Sequence, residues 1–535
     1  MSSFPSQQFK SLFQKYPPPI NPNFQYGTAG FRMLADRLDS IMVAVAAISI
    51  VRSFSQSNKT IGIMITASHN PPHDNGVKII DPLGDMLLQS WEPILTNLAN
   101  CQSYNDFESY LKPLWDKYYT NNKASIIIAR DTRETGPKLS SICTQLFDSL
   151  QDFVTYSNFE TLTTPQLHYL TRCFNDPSFG TPTELGYYQK LGSSFTQLLK
   201  LNDINFDNVL KIIVDAANGV GALKLNSFLE NCPLLKNHFS LVNTNTDDPN
   251  SLNVKCGADY VKTNQSLPND IDSNLASKQN TLAASFDGDA DRLICYFQDK
   301  DDFVLLDGDK IATLFSNLIS HLINQLPQNN LKLGIIQTAY ANGASTDYIV
   351  NKLNLPSVCA KTGVKHLHHE ALNFDIGIYF EANGHGTVLF SDKFKETISK
   401  IDTKPAKSLL LLSDLINQTV GDALSDLLGV IAALALLNLS PKQWSQTYTE
   451  LPNKLSKVIV KDRNLFITTD AERRLVQPSS IQPEIDHLVT KFEKSRSFVR
   501  PSGTEDAVRV YVEAKTTQDC ALLTEKVVKL VQQFS

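Results

Sequence analysis

The 535-residue chain is predicted to be a multidomain α/β protein closed by a smaller α+β segment, and three observations carry that prediction. At roughly 150 residues per domain, the length corresponds to about three or four domains. Short β-branched runs recur, each ending in a small or polar loop and each expected to lead into a helix. They are IGIMIT from Ile61, SIIIAR from Ser125, KIIVDAA from Lys211, LGIIQTA from Leu333 and DIGIYFEA from Asp375. In such units ligands bind at the carboxyl ends of the strands, so functional residues are expected just after these runs. The last stretch ends instead in VRVYVEA and an amphipathic helix from Gln518, the pattern of a small α+β domain.

Turn-rich stretches at 176–186, 298–302 and 440–452 give four segments, 1–180, 181–299, 300–445 and 446–535. Hydrophobic residues at 42% and charged residues at 19% are ordinary for a globular protein and exclude a disordered or fibrous one. With 49 Lys and Arg against 55 Asp and Glu, the formal charge of -6 gives no basic field for nucleic acid or an anionic membrane. The apolar tracts at 41–51 and 427–437 fall short of the roughly 18 residues a membrane span needs, and each is expected to be a buried helix. Eight cysteines without a Cys-x-x-Cys pair argue against a disulfide framework or zinc site, and MSSFPSQQFKSLFQ lacks the pattern of a signal peptide. A cytoplasmic protein, monomeric or weakly oligomeric, is expected.

Four motifs can carry chemistry. Thr66-Ala67-Ser68-His69-Asn70-Pro71-Pro72 directly follows the first run, and a serine on a stiff, proline-flanked turn presents a fixed hydroxyl suited to a nucleophile or phosphate carrier. His69, adjacent in sequence, is poorly placed to orient it, and an ordinary polar turn is an equal alternative. Asp287-Gly288-Asp289-Ala290-Asp291-Arg292 follows LAASF. Alternating carboxylates on one loop can converge on a hard cation such as Mg²⁺, although a solvated acidic turn has the same composition. Arg292 stands where a calcium-binding EF-hand loop requires glycine, which disfavours that motif.

Arg500-Pro501-Ser502-Gly503-Thr504-Glu505, with Arg509 beyond it, offers guanidinium charge, two hydroxyls and a glycine-exposed amide, the donors a phosphate monoester needs. A plain turn carrying a surface arginine is the alternative. Glu381-Ala382-Asn383-Gly384-His385-Gly386 places carboxylate, amide and imidazole on alternate positions, able to face sugar hydroxyls or simply to close a hydrogen-bonded turn. The cluster from His366 to Glu370 lacks His-Glu-x-x-His spacing and is expected to be structural, with Lys365 beside it a candidate phosphate contact.

Taken together and in this order, these loops resemble those of the α-D-phosphohexomutase superfamily, and the resemblance runs from Tyr26-Gly27-Thr28-Ala29-Gly30-Phe31-Arg32 to Arg509. Asn383 stands where glucose- and mannose-type members usually carry serine. Together with Thr362-Gly363-Val364-Lys365-His366-Leu367-His368 it is similar to the acetylglucosamine branch. The resemblance implies a four-domain phosphohexomutase architecture, three mixed α/β domains and a smaller C-terminal α+β domain around a central cleft. It implies reversible conversion of N-acetylglucosamine 6-phosphate to the 1-phosphate through a phosphoserine and a 1,6-bisphosphate, in the supply of UDP-N-acetylglucosamine. Its implied partner is a small sugar phosphate and its cofactor Mg²⁺, held by Asp287, Asp289, Asp291 and Ser68. Arg32, His69 and Lys78 would serve the reacting phosphate, Lys78 in proton transfer. Glu381, Ala382, Asn383 and His385 would grip the sugar, and Arg500, Ser502, Gly503, Thr504 and Arg509 the distal phosphate. Alternatives are a glucose or mannose phosphate mutase, a Mg²⁺-dependent sugar phosphatase, and a non-catalytic phosphosugar sensor.

Overall fold

Strands β1 (Phe31–Leu34), β2 (Thr60–Ile65), β3 (Asp74–Ile80), β4 (Ala124–Arg130) and β5 (Val154–Thr161) form the first sheet of the computed structural model, in the order β1-β3-β2-β4-β5. The structure describes residues 4–205, 210–278, 280–300, 302–327, 329–502 and 506–533. They fall into two units, 1–307 with 408–436 and 308–407 with 437–535. A second sheet of the first unit runs β10-β9-β8-β6-β7, from β6 (Lys211–Asp215), β7 (Phe239–Val242), β8 (Thr281–Phe286), β9 (Leu293–Asp299) and β10 (Asp302–Leu306). The second unit holds β11 (Leu333–Thr338), β12 (Ser357–Ala360), β13 (Ile376–Phe380) and β14 (Gly386–Phe390) in the order β12-β11-β13-β14. After them come β15 (Asn453–Ile459), β16 (Ile467–Thr469), β17 (Arg474–Gln477), β18 (Arg496–Pro501) and β19 (Ala507–Glu513), with β15-β19-β18 one sheet and β16-β17 a ribbon. The closing helix Thr517–Gln532 follows β19, so this last segment is α+β, as its pattern predicts.

Both apolar tracts are buried helices. Asp39–Ser55 is covered along its whole length from Ile41 to Phe54, and Ala423–Leu436 from Ala423 to Leu434. The expectation that every β-branched run leads into a helix fails at two of the five. β2 is followed by its antiparallel neighbour β3, and β13 by its antiparallel neighbour β14. The Asp287 loop likewise joins β8 to antiparallel β9. An antiparallel partner can be reached through a short loop, whereas a parallel one needs a crossover of a dozen or more residues. The neighbours are hard to see in sequence because their strands are covered on both faces and do not alternate, as with β3, buried from Asn75 to Ile80. Three of the candidate motifs therefore lie on connections between antiparallel neighbours.

Asp422 and Asp426 are buried carboxyls of the first unit. Asp422 accepts from Tyr187 Oη at 2.7 Å and Asn417 Nδ2 at 2.9 Å, while Oδ1 of the wholly buried Asp426, one turn on, has no partner. Burial and the neighbouring Asp422 push Asp426 well above the ordinary carboxylate range. Asp426 therefore stays protonated in the fold while its unfolded counterpart ionises from about pH 4. A single such group lowers stability by about 1.4 kcal/mol per pH unit between that point and the raised folded value. Urea unfolding across this window should show a shallower fall with pH for Asp426→Asn than for the parent, and equal slopes would refute the assignment.

Candidate active site

Ser68 sits at the carboxyl end of β2 in a left-handed conformation, φ 51°, which costs a non-glycine residue roughly 1–2 kcal/mol and persists only when its surroundings fix it. They do so from several sides. The Ser68 amide donates to Thr66 Oγ1 at 3.0 Å, and that hydroxyl donates to Asp131 Oδ2 at 2.7 Å. The Ser68 carbonyl accepts from Asn253 Nδ2 at 2.9 Å. Its Oγ donates to Asp287 Oδ2 at 2.6 Å, so the serine and the aspartate loop, 219 residues apart, meet directly.

Gly288 makes that meeting possible, because a Cβ there would lie 2.5 Å from the Ser68 carbonyl oxygen, a backbone atom that cannot step aside. Gly288→Ala should lower turnover about 10²-fold by displacing the two loops by a fraction of an ångström, checked by steady-state kinetics alongside a melting curve. Asp287, Asp289 and Asp291 each offer a carboxylate oxygen within 4.8 Å of the others, and all three are buried. Asp287 Oδ1 accepts from the amides of Asp291 and Arg292 at 3.1 and 3.2 Å, Asp289 Oδ2 accepts from Thr164 Oγ1 at 2.6 Å, and Asp289 Oδ1 has no partner. Burial, then Asp291 and Asp289, push Asp287 well above the ordinary carboxylate range. Such a charge concentration calls for a cation. A set of hard oxygens that includes the orphaned Asp289 Oδ1, together with a serine hydroxyl, suits Mg²⁺ rather than a metal seeking sulfur or nitrogen.

Basic groups surround this set. Lys78 Nζ lies 3.6 Å from Asp291 Oδ2 and 3.9 Å from Asp289 Oδ2. Arg32 lies opposite Gly76 in the β1–β3 pairing; burial lowers its pKa while the three aspartates raise it. Arg292 pairs with Asp259 at 2.8 Å. Burial, then the Arg292 charge, push His69 down to about 4 even though Asp259 lies 3.5 Å from its Nε2. In this state His69 is a neutral hydrogen-bonding group near pH 7 rather than a cation.

In the second unit the turn from β13 to β14 is closed by the Glu381 amide donating to the His385 carbonyl and the Gly384 amide donating to the Glu381 carbonyl, both at 2.9 Å. Gly384 is left-handed at φ 87°. Asn383 Oδ1 accepts from the His385 amide at 3.0 Å, so its Nδ2 is the end left to donate outward. Glu381, Ala382 and Asn383 are partly exposed and His385 is buried. In the histidine cluster, His368 is buried with Nδ1 3.0 Å from Tyr379 Oη, which fits the structural role expected of it.

On the last sheet Arg500 faces Arg509, and Arg509 faces Lys457 on β15. Residues directly opposite point to one side of a sheet, and like charges so placed repel unless an anion joins them. Glu472 supplies one such anion, with Oε1 3.3 Å from Arg500 Nε and Oε2 accepting from the Thr362 amide at 3.0 Å. The Ser502 amide donates to the Ala507 carbonyl at 2.8 Å, while Gly503 and Thr504 lie outside the described residues. Sequence reasoning missed Thr164, Asn253, Asp259, Lys457 and Glu472. None belongs to a motif, and only the fold brings them to one.

Family models match four stretches of the chain. Those for phosphoacetylglucosamine mutase AMG1, domains II and III, cover residues 179–294 and 307–439. Those for phosphoglucomutase/phosphomannomutase, α/β/α domain I and C-terminal domain, cover 30–105 and 455–530. The chain is 50% identical to the phosphoacetylglucosamine mutase of Candida albicans over 98% of its own length and 99% of that protein's, and 45% identical to the human one over 96% and 94%. A crystal structure of an N-acetylglucosamine-phosphate mutase in its substrate complex superposes with a TM-score of 0.93 at 50% identity, covering 99% of this chain and 100% of that one. The Aspergillus fumigatus N-acetylphosphoglucosamine mutase, in complex with GlcNAc-6P and magnesium, does so at 0.92 and 42% identity, covering 99% of both. With half its residues shared with a relative matched end to end, and with its serine and aspartate loops joined as a phosphoryl-transfer site requires, the chain belongs to the phosphoacetylglucosamine mutase family.

Proposed function

We propose that this protein interconverts N-acetylglucosamine 6-phosphate and N-acetylglucosamine 1-phosphate, with Ser68 as the phosphoryl carrier and Mg²⁺ as cofactor. The observation that carries this reading is the 2.6 Å contact between Ser68 Oγ and Asp287 inside a buried three-carboxylate cluster. Ser68 Oγ bears the phosphoryl in the resting enzyme and gives it to the free hydroxyl of the bound sugar phosphate. The resulting 1,6-bisphosphate turns over and returns its other phosphoryl to Ser68, so phosphate is conserved over the cycle. Asp287, Asp289, Asp291 and Ser68 would hold Mg²⁺, which when bound offsets charge on the transferring phosphoryl.

To Lys78, whose Nζ lies 3.6 Å from Asp291 and 3.9 Å from Asp289, we assign assistance to proton transfer at the reacting hydroxyl. Arg32 offsets phosphoryl charge and His69 donates a hydrogen bond. Glu381, Asn383 and His385, with the backbone at Ala382, orient the sugar, and the Asn383 amide suits the acetamido group. Arg500, Ser502, Gly503, Thr504 and Arg509 hold the phosphate that is not reacting. The division into 1–180, 181–299, 300–445 and 446–535 assigns one of these tasks to each segment. The product is a sugar 1-phosphate, the form that accepts a uridylyl group to give UDP-N-acetylglucosamine, and a cytoplasmic site of action accords with eight cysteines that are all free thiols.

Comparing turnover of N-acetylglucosamine 6-phosphate and glucose 6-phosphate tests the substrate, since a clear preference for glucose 6-phosphate would overturn it. Inorganic phosphate released in step with substrate loss would mark a phosphatase instead. Lys457 lies opposite Arg509 and adds to the positive field there. Lys457→Ala should raise KM about threefold with kcat unchanged, and the effect should shrink at high salt.

A further inference from the structure

Arg133 lies just beyond β4, and its side chain has no solvent exposure. A guanidinium has five N–H donors in a fixed plane, and here every one is engaged. Nε donates to Asp131 Oδ2 at 3.2 Å. Nη1 donates to the carbonyls of Pro71 at 2.7 Å and Asp74 at 2.8 Å, and Nη2 to those of Ser68 at 2.8 Å and Asn70 at 2.9 Å. Four of the five acceptors are thus main-chain oxygens of the turn that carries Ser68 into β3. The fifth, Asp131, also receives the Arg133 amide at 3.0 Å and the Thr66 hydroxyl, which itself accepts from the Ser68 amide. The Ser68 peptide is therefore gripped at both ends, its nitrogen through Thr66 and Asp131 and its carbonyl by Arg133.

Taking a guanidinium and a carboxylate out of water is expensive, and a turn in need of capping alone would be served by hydroxyls or amides. The distinctive demand here comes from the reaction. On the proposed function, Ser68 alternates between a hydroxyl and a phosphoryl dianion beside three carboxylates. A turn free to relax would move each time that charge came or went, and the movement would enter the barrier. We propose that Arg133 is the positioning residue of the phosphoryl carrier. It holds 68–74 in one place through both states of Ser68 and touches neither sugar nor phosphate. Lysine cannot replace it, because three donors on one nitrogen cannot serve four diverging carbonyls.

The test uses the full chain with Mg²⁺ and N-acetylglucosamine 6-phosphate, comparing the parent, Arg133→Lys and Arg133→Ala by steady-state kinetics and by melting curves. Arg133→Lys keeps the charge and most of the stem, and serves as the readout if Arg133→Ala fails to fold. Expected is a fall in kcat of about 10²-fold in both with KM changed less than about threefold, since misplacing a reacting atom penalises the transition state and not ground-state binding. Millimolar guanidinium ion should recover at least about tenfold of the Arg133→Ala loss and none of the Arg133→Lys loss, because only the former leaves a guanidinium-shaped space. Parental kcat in Arg133→Lys, or a loss fully accounted for by the unfolded fraction at the assay temperature, would overturn the proposal. Failure of the underlying reading shows in a different protein, as turnover by Ser68→Ala.

Discussion

Ser68→Ala is expected to abolish mutase turnover, by about 10⁴-fold or more, while leaving the protein folded and able to bind sugar phosphate. The loss is large because Oγ, which meets Asp287 at 2.6 Å, is the atom that carries the phosphoryl. The fold should survive because Asp287 keeps two backbone donors, from Asp291 and Arg292, once the serine hydroxyl is gone. Intact mass supplies the second measurement. After removal of any phosphoryl already carried, incubation with a hexose 1,6-bisphosphate should add the mass of one phosphoryl group to the parent and nothing to the variant. A variant that still turns over, or still gains that mass, would show that the carrier lies elsewhere.

Asp287→Asn should lower turnover by about 10³-fold or more and stabilise the metal-free protein by about 1 kcal/mol, opposite signs from one substitution. In the metal-free fold Asp287 is pushed well above the ordinary carboxylate range by burial and by Asp291 and Asp289, so near neutral pH that raised carboxyl costs the fold stability, and a neutral amide removes the cost. The amide retains an oxygen for the two backbone donors, and little packing is lost. With Mg²⁺ present the order should reverse. Saturation to about 100 Kd stabilises a site that binds only in the fold by about 2.7 kcal/mol, and the parent alone should show that gain in melting temperature. Chelation should accordingly silence the parent and lower its melting temperature. A parent indifferent to both Mg²⁺ and chelator would overturn the metal assignment.

The order of the four candidate motifs was legible in the sequence. Ser68, the Asp287–Asp291 loop, the Glu381–His385 turn and the Arg500 segment were all visible as small, polar or charged residues set at the ends of apolar runs, because a strand end is where a buried sheet meets its ligand. The two buried helices were visible for the same reason, as apolar tracts too short to cross a membrane. The antiparallel neighbours β3 and β14 were not, since a strand covered on both faces carries no alternation to distinguish it from any other apolar run.

Only the tertiary structure decided what holds each motif in place. That Asp131 secures Thr66, that Thr164 secures Asp289 and that Asn253 reaches the Ser68 carbonyl are facts about residues 65, 125 and 185 positions apart in sequence from their partners. Arg133 shows the limit most plainly. It follows the run SIIIAR, at the kind of position the strand-end rule marks, yet nothing in Asp131-Thr132-Arg133 says whether a guanidinium there will face solvent, substrate or four carbonyls of another loop. A motif is a local arrangement of side chains. The shell that fixes it is assembled by burial and hydrogen-bond satisfaction across distant segments, and those leave no pattern along the chain.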